Sequence, residues 1–138
     1  MSIADKLSEV KIRRLPLRQP AMVERGASIR EAVEAMKASR LGCALVCEQG
    51  KLVGLFTERD LLNKVAGREA DLDTLPVGEV MTKRPETIGE RDPIRVVINK
   101  MAVGEYRHVP IVRDGRPVGI ISAKAVANYI LKHSGLDF

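Results

Sequence analysis

Apolar residues recur along the chain in two spacings, one helical and one suited to buried strands. Ile29, Ala32, Val33 and Met36 fall on one helical face behind Ser28, and Glu31 three residues on completes a capping-box pattern. Ile94, Val97, Ile98 and Met101 repeat that stripe after Asp92-Pro93, read as N-cap and first-turn proline, and the two patterns run to Gly42 and Gly104. Continuous apolar runs follow each. Ala44-Leu45-Val46-Cys47, a turn at Gln49-Gly50 and Leu52-Val53-Gly54-Leu55-Phe56 predict one hairpin of buried strands; Val109-Pro110-Ile111-Val112, Asp114-Gly115 and Val118-Gly119-Ile120-Ile121 predict another. Helices are expected next at about 58–66 and 123–132, and short extended pieces at Ala21-Met22-Val23 and Glu86-Thr87-Ile88 come before. The order is β-α-β-β-α, twice.

The two halves coincide when the chain is shifted by 65 positions. Pro20 then meets Pro85, Ile29 Ile94, Met36 Met101, Gly50 Gly115, Gly54 Gly119 and Asn63 Asn128, with Val46 over Ile111 and Thr57 over Ser122. Units this small cannot bury their own apolar faces and are stabilised by packing together. The expected fold is α+β, two tandem β-α-β-β-α repeats packed sheet to sheet with pseudo-two-fold symmetry. Residues 1–19 are read as an appended helix around Ile3, Leu7 and Val10 followed by a basic, strand-like Lys11-Ile12-Arg13-Arg14-Leu15. Residues 12–75 and 76–138 hold the two motifs, and 67–84 is read as linker.

Composition narrows the function. At 138 residues, 45% hydrophobic and 30% charged, the chain matches a soluble globular protein, with no run long enough for a membrane span and no apolar leader after Met1, so it is placed in the cytoplasm. Cys43 and Cys47 lie four apart, roughly 13 Å if the segment is a strand, beyond disulfide reach, and are expected as buried apolar residues. With His108 and His133 they make no metal-ligand spacing, so no metal and no cofactor is expected. A net charge of +5 favours an anionic partner, while 3% aromatics leave few stacking platforms for nucleic acid.

Gly54-Leu55-Phe56-Thr57-Glu58-Arg59-Asp60-Leu61, Val80-Met81-Thr82 with Pro85, and His108-Val109-Pro110-Ile111-Val112 resemble the cystathionine β-synthase (CBS) domain family, in the tandem pair called a Bateman module. The resemblance covers about residues 12–132 and implies clefts for an adenine nucleotide. Thr57-x-x-Asp60 is by itself a capping box. The resemblance adds a second role for it, Thr57 toward phosphate and Asp60 toward the ribose hydroxyls, with Arg59 beside them. Met22, Val23, Cys43, Ala44 and Val46 would cradle the base or form ordinary core, and Arg107 and His108 would reach the phosphate or form a solvated strand end. The second cleft, at Thr87, Pro110, Ser122 and Ala125, is degenerate because Ala125 stands where Asp60 does and accepts no hydrogen bond.

The function expected is a non-catalytic module that binds AMP, ADP or ATP, with S-adenosylmethionine and NAD left open, and signals to a partner protein as a homodimer. A basic nucleic-acid-binding protein, suggested by Arg13, Arg14 and Arg18, is the weaker alternative. Neither a Gly-x-Gly-x-x-Gly nor a Walker lysine motif supports an enzyme.

Overall fold

The computed structural model describes residues 9–66, 71–104 and 106–134. The chain divides into two units, each an α+β arrangement of helices against one sheet: residues 19–85 with 115–117, and residues 1–18 with 86–114 and 118–138.

In the first unit β1 (Met22–Glu24) is followed by α1 (Ile29–Ser39), β2 (Cys43–Glu48) and β3 (Lys51–Thr57). Ser28 Oγ caps α1 by accepting the Glu31 N–H at 3.1 Å, and the helix stops where Arg40 turns left-handed at φ 58°, two residues before Gly42. β1 lies parallel to β2, β2 antiparallel to β3, and the sheet order is β1-β2-β3-β4. Ala44, Val46 and Phe56 meet Ile29, Ala32 and Met36 in the core. That is the amphipathic stripe seen in the sequence.

Two expectations change here. Residues 71–83 are no loose linker: Val77, Val80 and Met81 are core residues, and β4 (Thr82–Lys83) extends the sheet beside Gly54 and Leu55. Gly54 permits this, since a Cβ there would overlap the Met81 sulfur. The basic stretch after Lys11 is likewise not a strand. Ile12–Arg14 form a 3-10 turn, and Ile12 and Leu15 sit in the core of the second unit. Ile3 and Leu7, expected on an N-terminal helix, lie outside the described residues.

The second unit holds β5 (Ile88–Gly89), α3 (Ile94–Gly104), β6 (His108–Arg113), β7 (Arg116–Ser122) from Val118 on, and α4 (Ala123–Ser134), with sheet order β5-β6-β7 and β5 parallel to β6. Ahead of α3, Asp92 turns its carboxylate back to the Gly89 N–H at 2.8 Å. Both hairpins turn through two left-handed residues, Gln49-Gly50 at φ 52° and 79° and Asp114-Gly115 at φ 52° and 78°. That is the twist a two-residue hairpin favours.

The repeat reaches further back than its sequence identities. Val77 N–H donates to Ala27 O, Gly78 N–H to Arg25 O and Ile29 N–H to Leu75 O; 65 residues away, Ile12 N–H donates to Asp92 O, Arg13 N–H to Glu90 O and Ile94 N–H to Val10 O. The stretch before each repeat therefore completes the other one. An ion pair is also repeated, with its charges exchanged: Arg25–Glu48 in the first unit and Arg113–Glu90 in the second.

Candidate functional site

The first unit concentrates its buried polarity at the end of β3. Thr57, in extended conformation, closes the strand and caps the helical turn α2 (Glu58–Asp60); its Oγ1 accepts the Asp60 N–H at 3.1 Å, and the Asp60 carboxylate accepts the Thr57 N–H at 3.1 Å. The predicted capping box is complete. Beyond α2 the helix loosens into a π-turn over Leu61–Val65, with the Ala66 N–H bonded to Leu61 O at 2.8 Å, instead of remaining α-helical as expected. Such turns are frequent at functional sites.

Asp60 is the buried charged residue among the described residues, 6% exposed. Its carboxylate also accepts the Thr82 hydroxyl, 3.1 Å from each oxygen, and pairs with Lys64 Nζ at 3.0 Å. A buried charge needs such partners, because burying a carboxylate without hydrogen bonds costs several kcal/mol. Thr82 and Lys64 were given no role by sequence reasoning. Thr82 stands in the Val80-Met81-Thr82 motif quoted above, and at the 65-residue shift Thr82 and Lys64 answer to Leu17 and Tyr129.

Arg59 is exposed on α2. Cys43 is Thr57's partner across the β2–β3 ladder and is buried, and desolvation, then the charge of Glu58, pushes its thiol up to about 11. Burial likewise raises Cys47, with Glu24 adding to it. Both thiols are free. Ala44 and Val46 are core beneath α1, Val23 packs against that same core, and Met22 stands 55% exposed on the edge strand.

Arg107 and His108 belong to the second unit, at the entrance of β6. Arg107 is exposed and His108 half-buried. The Arg107 carbonyl accepts the Ala123 N–H at 2.8 Å, as Gly42 O accepts the Glu58 N–H at 3.0 Å one repeat earlier. Thr87 is half-buried just before β5, and Pro110 is buried in β6. Ser122 keeps the cap, accepting the Ala125 N–H at 3.0 Å, but Ala125 supplies no carboxylate. Leu17, Ala125 and Tyr129 all pack against the second core. Where the first repeat has a carboxylate and two donors, the second has apolar contacts.

Two such repeats, one with an acid behind its capping threonine, match a known family model. The CBS domain model fits residues 5–67 and 77–132. This chain belongs to the CBS-domain family. The CBS domain-containing protein YhcV of Bacillus subtilis is 33% identical over 75% of this chain and 74% of its own length. The CBS domain-containing protein CBSCBSPB5 of Arabidopsis thaliana is 31% identical over 85% of this chain, which spans only 22% of that relative's length. Among solved structures, the CBS domain protein PAE2072 from Pyrobaculum aerophilum complexed with AMP is similar at 30% identity and a TM-score of 0.79, covering 91% of this chain and 98% of that one. Among the described residues no helix is long and apolar enough to cross a membrane, and no cluster of His, Cys, Asp and Glu is set to hold a metal.

Proposed function

We propose that this CBS-domain chain is a non-catalytic regulatory module that binds an adenosine nucleotide of the AMP, ADP or ATP class at Thr57, Arg59 and Asp60, and that a partner protein reads the occupied state. The observation that carries this is the Asp60 carboxylate, buried beside the Thr57 hydroxyl, in a chain 30% identical to a protein crystallised with AMP. A carboxylate accepts both hydroxyls of a ribose, as acidic residues do in dinucleotide folds. Thr57 and Arg59 supply a hydroxyl and a cation for phosphate, and Met22 and Cys43 supply apolar surface. Ala44 and Val46 are left out because the helix-side core uses them.

The second repeat lacks the acceptor, so the expected stoichiometry is one nucleotide per chain. Two further parts of the reading are association with a second copy, for which Leu62 at 68% exposure offers apolar surface, and a reducing cytoplasm, which the two free thiols suit. Calorimetric titration with AMP, ADP and ATP tests the assignment. Asp60→Ala is expected to weaken binding about 10- to 150-fold, roughly 1.4 to 3 kcal/mol. Unchanged affinity in the folded variant would overturn the ribose role.

A further inference from the structure

The segments that complete the two repeats follow the same backbone path and carry opposite charge. Lys11–Arg14 runs beside Glu90–Asp92, with Ile12 N–H on Asp92 O at 2.9 Å and Arg13 N–H on Glu90 O at 3.1 Å, and Pro76–Glu79 runs beside Arg25–Ala27 through the equivalent bonds. In the second unit, residues 11–14, 89–92 and 112–114 carry Lys11, Arg13, Arg14, Arg91 and Arg113 against Glu90, Asp92 and Asp114. The same register in the first unit, residues 76–79, 24–27 and 47–49, carries Arg25 against Glu24, Glu48 and Glu79. One backbone thus presents a basic surface in the second unit and an acidic one in the first.

Arg91 and Arg113 line a cleft of about 410 Å³ between the turn at 89–92 and the end of β6. Arg113 sets its fork on Glu90, at 2.6 and 2.7 Å. That bond, and after it the charges of Arg91 and Arg13, hold the Glu90 carboxyl below its usual value. Yet among the described residues neither Arg13 nor Arg91 enters an ion pair, and both are exposed. Asp92 turns to the Gly89 N–H at 2.8 Å, and Asp114 follows Arg113 into the hairpin turn. Two guanidiniums therefore stand near Glu90 with no carboxylate of their own.

The group such a surface takes is the one Arg113 already holds, a carboxylate gripped by both prongs of a guanidinium. A nucleic-acid duplex fits it poorly, because duplex phosphates present a charge about every 1.7 Å of axis and Glu90, Asp92 and Asp114 interrupt the cations. The three stretches also contain no aromatic residue to stack on a base, and none of the large exposed apolar side chains, Met22, Leu62, Val103 and Tyr106, belongs to them. An acidic peptide spaces its carboxylates and can set them between the acids of the cleft. We propose that Arg13 and Arg91, beside the Arg113–Glu90 pair, are the docking surface for an acidic segment of a partner protein. The assignment rests on the reading above, in which a partner protein reads the nucleotide-bound state.

The test follows fluorescence polarisation of a dye-labelled decaglutamate peptide on the full chain, in wild type, Arg13→Gln/Arg91→Gln and Lys37→Gln/Lys132→Gln. The lysine pair removes the same charge from exposed positions on α1 and α4. Wild type is expected to bind at low salt and to release the peptide as salt rises, the arginine variant to bind at least about fivefold more weakly, and the lysine variant to stay within about twofold of wild type. Equal losses in the two variants would overturn the surface, since net charge alone would then account for binding. A labelled DNA duplex that binds more tightly than the peptide, and is lost in the arginine variant, would overturn the acidic-protein assignment in favour of nucleic acid. Calorimetric titration of AMP into the same proteins separates this surface from the reading it rests on. AMP binding without peptide binding would overturn the surface alone, whereas peptide binding at the arginines without AMP binding would support the surface and overturn the nucleotide reading.

Discussion

The two repeats share much of their backbone and differ most at the helix after the hairpin, a short turn loosening into a π-turn in the first and a 12-residue α-helix in the second. Three hydrogen bonds from the preceding segment, the cap hydroxyl, the hairpin turns and the parallel pairing recur 65 residues apart. At Asp60, Lys64 and Thr82, however, the second repeat has Ala125, Tyr129 and Leu17, packed against its core. Ser122 supplies the hydroxyl half of the cap as Thr57 does, without the reciprocal carboxylate. The carboxylate, with the Thr82 hydroxyl and the Lys64 ammonium on it, belongs to the first repeat; Ala125 offers no counterpart in the second.

The comparison can be broken first at the shared part. Ile12→Ala is expected to cost about 2 to 5 kcal/mol, since Ile12 is fully buried, and Val77→Ala about 0.8 kcal/mol less for the methylene it lacks. Hydrogen exchange read by residue should show lost protection mainly at 86–134 for Ile12→Ala and mainly at 19–83 for Val77→Ala. The reverse pattern would mean that the preceding segments do not complete the units assigned to them.

Importing the site is the next step down in effect. Ala125→Asp alone places a carboxylate where Leu17 and Tyr129 offer no matching donors, so denaturant unfolding should show a loss of about 1 to 3 kcal/mol. The triple variant with Leu17→Thr and Tyr129→Lys should recover more than half of it. A single variant as stable as wild type would show that the donors around Asp60 are dispensable.

The smallest expected effect concerns the exchanged ion pair. Arg113 grips Glu90 with two bonds, at 2.6 and 2.7 Å, and that bond holds the Glu90 carboxyl below its usual value, while Arg25 meets Glu48 through one contact at 3.3 Å. The folded state therefore binds fewer protons at Glu90 than the unfolded chain does. The stability so gained is present above the ordinary carboxylate range and is lost as pH falls through the lowered value. Melting temperatures of wild type and Arg113→Leu should converge as pH drops from about 7 to 3, only slightly, because the pair is exposed. A gap that widens on acidification would contradict the sign.

Much of this was readable from the residues in order. Ser28 with Ile29, Ala32 and Met36, the Asp114-Gly115 turn and the capping box at Thr57 depend on neighbours within four positions, and each formed where its pattern stood. Errors fell where distance in the chain decided. Val77, Val80, Ile12 and Leu15 keep the 65-residue register without sequence identity, so residues 67–84 read as linker and Lys11–Leu15 as strand, although both stretches supply core.

Local sequence determined α1, the two hairpins and the caps at Ser28 and Thr57, because those rest on the stereochemistry and hydrogen bonds of adjacent residues. Tertiary structure alone decided that Thr82, 22 residues beyond Asp60, brings its hydroxyl to that carboxylate. It also decided that Ala44 and Val46 pack in the core with Ile29, Ala32 and Met36. A buried charge is satisfied by whichever donors the fold carries to it, and a donor on another strand leaves no periodicity in the chain to announce it.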